Sequence, residues 1–553
     1  MTPTATAADA LIEASIDWQA MPAVLRPAVQ AALQSRDQRI AALEAELAML
    51  KAQLDWFRRQ VFGSKSERHV ADLAQQLPLG GLQAPVPEVP VTDEPSSVVV
   101  KRRKARSDFA ADGMERSFFD AQRVEVVPIE VPNEAVAGLS PEQYEVVGIK
   151  TSHRLAQRPG SYVVLEYRRS VIKRHDSGRL HCPPAPQGVF EGSRADVSFA
   201  VGLLVDKFCW HLPLYRQHQR LLAAGFKLSR QWLTQLVQQA GRLLEPIYEA
   251  QLDSIRASRV KAMDETPIKA GHAGPGKMHS AYYWPVYGEQ DEVCFVYRES
   301  RRHEHAGEVL GPALPGMVLL SDGYGAYRSW AKKTGAIHAE CWVHTRRQFF
   351  EAKQAAPPQA EHALRLIGKI YEVEDEIRRR GLGGSDKRLH RLTHAKPCVE
   401  RFFAWVDDQL AGQGLLPSNR LTQALNYARV RREALQVFLD DPDVAPDTNH
   451  LERALRVIPM GRKNWLFCWS EVGAEIVGIV QSLIVTCKLH DIDPATYLTD
   501  VLQRVGRHPA SRVAELTPRQ WKRHFAANPL RSDLGPVTAA IPVPTRPDVG
   551  PAA

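Results

Sequence analysis

Between residues 258 and 343, short apolar runs follow one another in an order that few folds accommodate. "SRVKAMDETPIKA" is strand-like through Asp264, and "HSAYYWPVYGEQDEVCFVYRES" reads as a hairpin of two aromatic-rich strands about a Gly-Glu-Gln-Asp turn. "HEHAGEVLG" is a short helix, Met317–Leu320 a buried strand and "AIHAECWV" a fifth strand, with "HTRRQFFEAKQA" the helix after it. Three strands, a helix and two more strands predict one mixed sheet. Where its first and fourth strands are neighbours, Asp264 in the first and Asp322 at the end of the fourth can meet.

Two carboxylates at the mouth of a sheet suggest a site for hard cations. A third acid is expected from a later helix, and Glu452 in "ERALR" supplies it. The separations are 58 residues from Asp264 to Asp322 and 130 from Asp322 to Glu452. The long second gap holds residues 359–440, which read as a helical insertion. Two divalent ions about 3.5–4 Å apart can clamp the attacking and leaving oxygens of an in-line phosphoryl displacement. Mg²⁺ prefers carboxylate oxygen and keeps several waters, so few acids suffice, and Mn²⁺ can substitute. Asp264 would bridge both ions, with Asp322 and Glu452 each completing one site. Each acid also has a purely structural reading: a turn Asp before Thr266-Pro267, a helix cap at Asp322, and a capping box Asn449-x-x-Glu452. Glu265 competes with Asp264 for the first role.

The chain is expected to be a multidomain α+β protein. Residues 1–75 form an N-terminal helix or coiled coil. Leu33, Ile40, Leu47, Leu54 and Val61 recur every seven residues, with Leu43, Leu50 and Phe57 between them. One long amphipathic helix is the alternative, whereas a coiled coil implies a homo-oligomer. Residues 76–115 are a Pro/Gly-rich linker with a basic run, Lys101–Arg106, which touches phosphates or is simply solvated. Residues 116–192 alternate as a small β-rich module. Residues 193–255 are helical, with a Gly225 break and a Ser229 cap that outline a helix-turn-helix or an ordinary hairpin. The catalytic core spans 256–470, C-terminal helices 471–530, and a Pro-rich disordered tail 531–553.

The net charge of +8 suits a polyanionic partner. Candidate DNA contacts are Arg230, Gln231 and Gln235, early in the second helix of the hairpin. His344, Arg346 and Arg347 follow the fifth strand, and Arg453 and Arg456 share the helix of Glu452. Arg462, Lys463, Asn464 and Trp465 make a basic loop fit for phosphate contact and base stacking. Seven dispersed cysteines argue for a reducing compartment. No zinc is expected, because neither His181-Cys182 nor Cys341-x-x-His344 has a second pair of ligands. The first residues lack a basic start before an apolar core, and no apolar run is expected to span a membrane, so the cytoplasm is the expected compartment.

"DETPIK", "SDGYGAY", "CWVHTRRQF", "HLERALRVIPMGRKNWLF" and "SLIVTCKLHDIDPATYL" resemble transposases of the insertion sequence 66 family, most densely between residues 255 and 505. That resemblance implies a DDE transposase with a ribonuclease H-like core and two Mg²⁺ ions, its acids falling on Asp264, Asp322 and Glu452. It implies cleavage at the inverted-repeat ends of a mobile element, 3′-hydroxyl attack on target DNA, accessory proteins of the same element, and residence on the nucleoid. The family's cysteine-rich zinc-binding segment is reduced here to Cys182. A catalytically inactive repressor and a structure-selective nuclease are the competing functions.

Overall fold

The strand-like stretches at 120–190 and 258–343 form two separate sheets. The computed structural model describes residues 118–535 except 159, 275–276, 413–415, 466–467 and 469. The heptads at 33–61, the linker and the basic run at 101–106 lie outside the described residues.

The first sheet holds β1 (Glu125–Val131), β2 (Tyr144–Arg158), β3 (Ser161–Arg174) and the short β4 (Leu180–His181). Its order is β1-β3-β2, with β4 also on β3. β2 and β3 turn back on each other at Gly160, whose φ of +80° is open to glycine but strained for other residues. Asp196 and the segment after Leu530 fasten this sheet to the rest: Ser532 Oγ donates to Asp196 Oδ1 at 2.5 Å and Tyr167 OH to Asp533 Oδ2 at 2.7 Å. Residues 531–535 are therefore anchored rather than a disordered tail, because their polar groups satisfy buried partners.

Three helices follow: α1 (Val197–Phe208), α2 (Leu214–Ala223) and α3 (Arg230–Arg256). Gly225, at φ +97°, makes the break, and Ser229 Oγ accepts from Trp232 N at 3.1 Å to cap α3. Leu233, Leu236, Val237, Ala240, Leu244 and Ile247 recur at helical spacing and are buried, which fixes one face of α3 in the core.

The second sheet contains β5 (Val260–Met263), β6 (Thr266–Gly274), β7 (Lys277–Gly288), β8 (Glu292–Arg298), β9 (Val318–Ser321) and β10 (Ile337–Glu340). Helix α4 (Glu304–Leu310) precedes β9, and α5 (Gly325–Thr334) joins β9 to β10. β5 and β6 pair with β7 in one register from Lys261 to Ala270, Met263 opposite Val286 and Thr266 opposite Tyr283, before the register shifts at the far end of β6. Up to Ala270 they are one strand interrupted at Asp264-Glu265. From edge to edge the order is β8, β7, β5/β6, β9, β10, with β7 alone reversed.

Helix α6 (Trp342–Ala352) starts directly after β10, so the fifth strand stops at Glu340, shorter than "AIHAECWV" suggests. Helices fill the stretch that follows: α7 (Pro357–Arg380), α8 (Gly384–His390), α9 (Lys396–Gly412), α10 (Arg420–Val430) and α11 (Val437–Asp440). Buried Arg391 ties it together, pairing with Glu374 at 2.7 Å and donating to the carbonyls of Phe438 and Val444. The chain then runs through α12 (Asn449–Leu455), α13 (Val457–Trp465), α14 (Glu471–Leu489), α15 (Pro494–Arg504) and α16 (Pro518–His524).

Helix α14 is long and apolar enough to cross a membrane, a property the sequence reading did not single out, yet most of it is buried in the core. Its hydroxyls cover the open edge of β8: Ser482 Oγ accepts from Phe295 N at 2.8 Å and Thr486 Oγ1 from Val293 N at 3.2 Å. An edge strand so covered cannot recruit another chain.

Candidate active site

β5 and β9 run parallel with Val260 opposite Val318 and Ala262 opposite Leu320, a constant offset of 58 residues. Asp264 and Asp322 are separated by the same 58. They therefore leave neighbouring strands at one level, at the carboxyl end where α/β sheets present their ligands. Among the described residues, one group of acids, histidines or cysteines brings three ligand atoms within 4.8 Å of one another: Asp264, Glu265 and Asp322.

Local hydrogen bonds aim the two aspartates. Asp264 Oδ1 accepts from Glu265 N at 2.7 Å, and Asp322 Oδ1 accepts from Tyr324 N at 2.9 Å. Among the described residues neither second oxygen accepts a hydrogen bond. Glu265 differs. Arg301 Nε donates to its Oε1 at 2.8 Å and Tyr327 OH to its Oε2, and its side chain is 4% exposed. Arg301 in turn lies 4.1 Å over the Tyr324 ring. Glu265 thus joins the cluster with its oxygens already engaged, while the aspartates each keep one to offer. A pair of hard oxygen donors of this kind fits Mg²⁺ or Mn²⁺.

Burial, above all, pushes the Asp264 carboxyl up to about 7; the hydrogen bond from Glu265 N opposes this, and the Glu265 and Asp322 charges add to it. Burial likewise raises Glu265, against the hydrogen bond from Tyr327. Crowded carboxylates that resist ionisation are a stored demand for positive charge.

Glu452 is outside that group. It sits in the first turn of α12, where its Oε1 accepts from Thr448 Oγ1 at 3.4 Å and lies 3.9 Å from His344 Nε2. His344 is also close enough to Asp264 to lower its pKa. The imidazole is therefore near both Asp264 and Glu452, and its Nδ1 is buried with no hydrogen-bond partner among the described residues. The capping box Asn449-x-x-Glu452 is not formed. Thr448 is the N-cap residue, and Asn449 donates its side chain to Asp447 at 2.9 Å.

The expected DNA contacts divide. Arg230, Gln231 and Gln235 are exposed at the start of α3, and Arg346, Arg347, Arg453 and Arg456 are exposed near the acids in sequence. The basic loop Arg462–Trp465 is instead the end of α13. Pro459 falls in the first turn of that helix, where proline is tolerated, so nothing breaks it. Arg462 donates to Pro267 O, and the Trp465 ring folds back onto Gly461 of its own helix, a half-buried placement that does not present it for base stacking. Lys463 and Asn464 remain exposed. The sequence reading missed Arg301 and Tyr327. The spacing of Tyr324 and Tyr327 in "GYGAY" was the available sign that one helical turn faces the acids.

The family model described as "Transposase IS66 family" matches residues 192–476. The "IS66 C-terminal element" matches 482–519, and "Transposase C of IS166 homeodomain" matches 49–112, which runs from the heptads across the expected linker. The chain is 29% identical over 509 residues to the uncharacterized protein y4hP of Sinorhizobium fredii (strain NBRC 101917 / NGR234), covering 87% of this chain and 90% of that one. It is 28% identical over 497 residues to y4jD of the same strain, covering 86% and 94%. With a family model matched over more than half its length, the chain belongs to the IS66 family of transposases.

Proposed function

We propose that the chain binds the inverted-repeat ends of an insertion sequence, cleaves the DNA there and joins the 3′ ends to target DNA on a ribonuclease H-like DDE core. The observation that carries this reading is the level placement of Asp264 and Asp322 at the ends of two parallel strands. The order β8-β7-β5-β9-β10 with β7 alone reversed supports the fold assignment.

In this reading Asp264 and Asp322 hold divalent metal through the oxygens their turns leave unengaged, and Glu452 completes the set from α12. Bound metal would activate a water or a 3′-hydroxyl and steady the departing 3′ oxygen. Arg301 and Tyr327 keep Glu265 from competing for the cation. His344 lies beside Glu452, 3.9 Å from its carboxylate. The exposed Arg346, Arg347, Arg453 and Arg456 track the phosphate backbone, and Arg230, Gln231 and Gln235 offer groups for base edges. The working form is at least a dimer, since two ends must be held together, and it acts on the nucleoid with accessory proteins of the same element.

Asp322→Asn tests this directly. End cleavage in Mg²⁺ should disappear while end binding persists. Cleavage retained by that variant refutes the site. Absence of cleavage by the wild-type chain on its own paired ends favours a repressor, and cutting of branched DNA without repeats favours a nuclease.

A further inference from the structure

The helical insertion does more than separate His344 from Glu452. Just past α10, Arg431 reaches the turn that follows Asp322. Its Nη2 donates to Gly323 O at 3.1 Å and its Nη1 to Tyr427 O at 3.2 Å. Its guanidinium carbon stands 3.6 Å from the centre of the Tyr427 ring, and its Nε lies 2.6 Å from Oε2 of Glu340, which is nearly fully buried at the end of β10. Gly323 has no room for a side chain here. A Cβ would come within 2.6 Å of both Arg431 Nη2 and Tyr427 OH.

The carbonyl of Gly323 and the N–H of Tyr324 belong to one planar peptide unit. Arg431 grips that plate by its oxygen, and the Asp322 carboxylate is held by its N–H at 2.9 Å. The orientation of Asp322 therefore depends on a residue contributed by the insertion. The insertion's return leg touches the same end of the sheet, with Glu340 N donating to Ala434 O at 3.1 Å and Trp342 Nε1 to Leu435 O at 2.8 Å.

We propose that Arg431, stacked on Tyr427, is a positioning residue for Asp322, and that through it the insertion governs the affinity of the acidic site for divalent metal. This rests on the reading of Asp264 and Asp322 as metal-holding. Arg431→Lys keeps a charge for Glu340 but loses the planar fork. Calorimetric titration of the full chain with Mn²⁺ alone should show binding weakened about tenfold, the scale of lost outer-shell support for a ligand. The thermal midpoint of the metal-free variant should stay within a few degrees of wild type. Gly323→Ala, which displaces the guanidinium from the other side, should weaken Mn²⁺ to a similar degree. Wild-type Mn²⁺ affinity in both folded variants would overturn the proposal and leave Arg431 a structural link. Failure of the wild-type chain itself to take up Mn²⁺ would overturn the metal-holding reading on which the proposal stands.

Discussion

Asp264 and Asp322 are carried by strands, whereas Glu452 is carried by a seven-residue helix. The strand pair owes its geometry to backbone register, which side-chain changes hardly move: a slip by one residue would turn every side chain of β5 to the other face. Glu452 depends on contacts made far along the chain. Thr448, at the start of its helix, is bonded to Cys341 Sγ at 3.4 Å, and Trp342 N donates to Pro446 O at 3.0 Å. The aspartates are thus placed by the sheet, the insertion reaching Asp322 through Arg431, whereas the glutamate is placed by how the insertion closes back on it. This difference predicts a metal site that exists in part without Glu452 and is completed by it.

The largest expected effects separate those roles. Asp264→Asn should remove both Mn²⁺ binding and end cleavage, the latter by about 10³-fold or more, the scale of losing a main source of transition-state charge stabilisation. Glu452→Gln should depress cleavage comparably while leaving one Mn²⁺ still bound to the aspartate pair. Titration showing complete loss of Mn²⁺ in Glu452→Gln would erase the distinction between strand-held and helix-held acids.

A smaller effect follows from charge. Asp264 has its carboxyl raised from 3.8 to about 7 in the folded chain. The folded state therefore holds a proton that the unfolded state has released across that window, so stability falls as pH rises from about 4 to about 7 and levels off above it. In metal-free protein, Asp264→Asn should be more stable than wild type at pH 8 by about 1–2 kcal/mol, a shift discounted for partial solvent access. The advantage should shrink toward pH 4 and vanish only below the unfolded value of 3.8, where the wild-type group is protonated in both states. Thermal unfolding at the two pH values measures it. A variant less stable than wild type at pH 8 would mean that the cluster is not starved of positive charge.

How much of this was legible beforehand follows the same division. The 58-residue spacing of the aspartates is the register of two parallel strands, so short apolar runs ending in Asp were enough to bring the pair together. Glu265 was judged a competitor for Asp264, because spacing cannot say that Arg301 and Tyr327 would occupy its oxygens. The helix of Glu452 was readable, but its cap was not: Asn449 and Thr448 are both good cap residues, and Thr448, which takes the cap, is tied to the distant Cys341. At Arg462–Trp465 polar composition suggested a loop, whereas the chain stays helical there and the Trp465 ring packs back on Gly461. The role of Arg431 was not legible at all, since it depends on a partner 108 residues away.

The finest test lies at the hinge between the two supports. Thr448→Val keeps the shape of a fully buried side chain but removes the hydroxyl that bonds Cys341 Sγ and Glu452 Oε1, each at 3.4 Å. Both contacts are long, so the variant should lose only about 1 kcal/mol of stability. The backbone bond from Glu452 N to Thr448 O, 2.9 Å, survives, so the first turn of α12 stays formed and only the glutamate's aim loosens. Cleavage should fall a few-fold, while Mn²⁺ affinity at the aspartate pair stays at its wild-type value, because no strand atom has moved. If Mn²⁺ affinity instead drops as far as in Arg431→Lys, the glutamate and the aspartates share one support, and the helix that carries Glu452 must be counted as part of the sheet's own site.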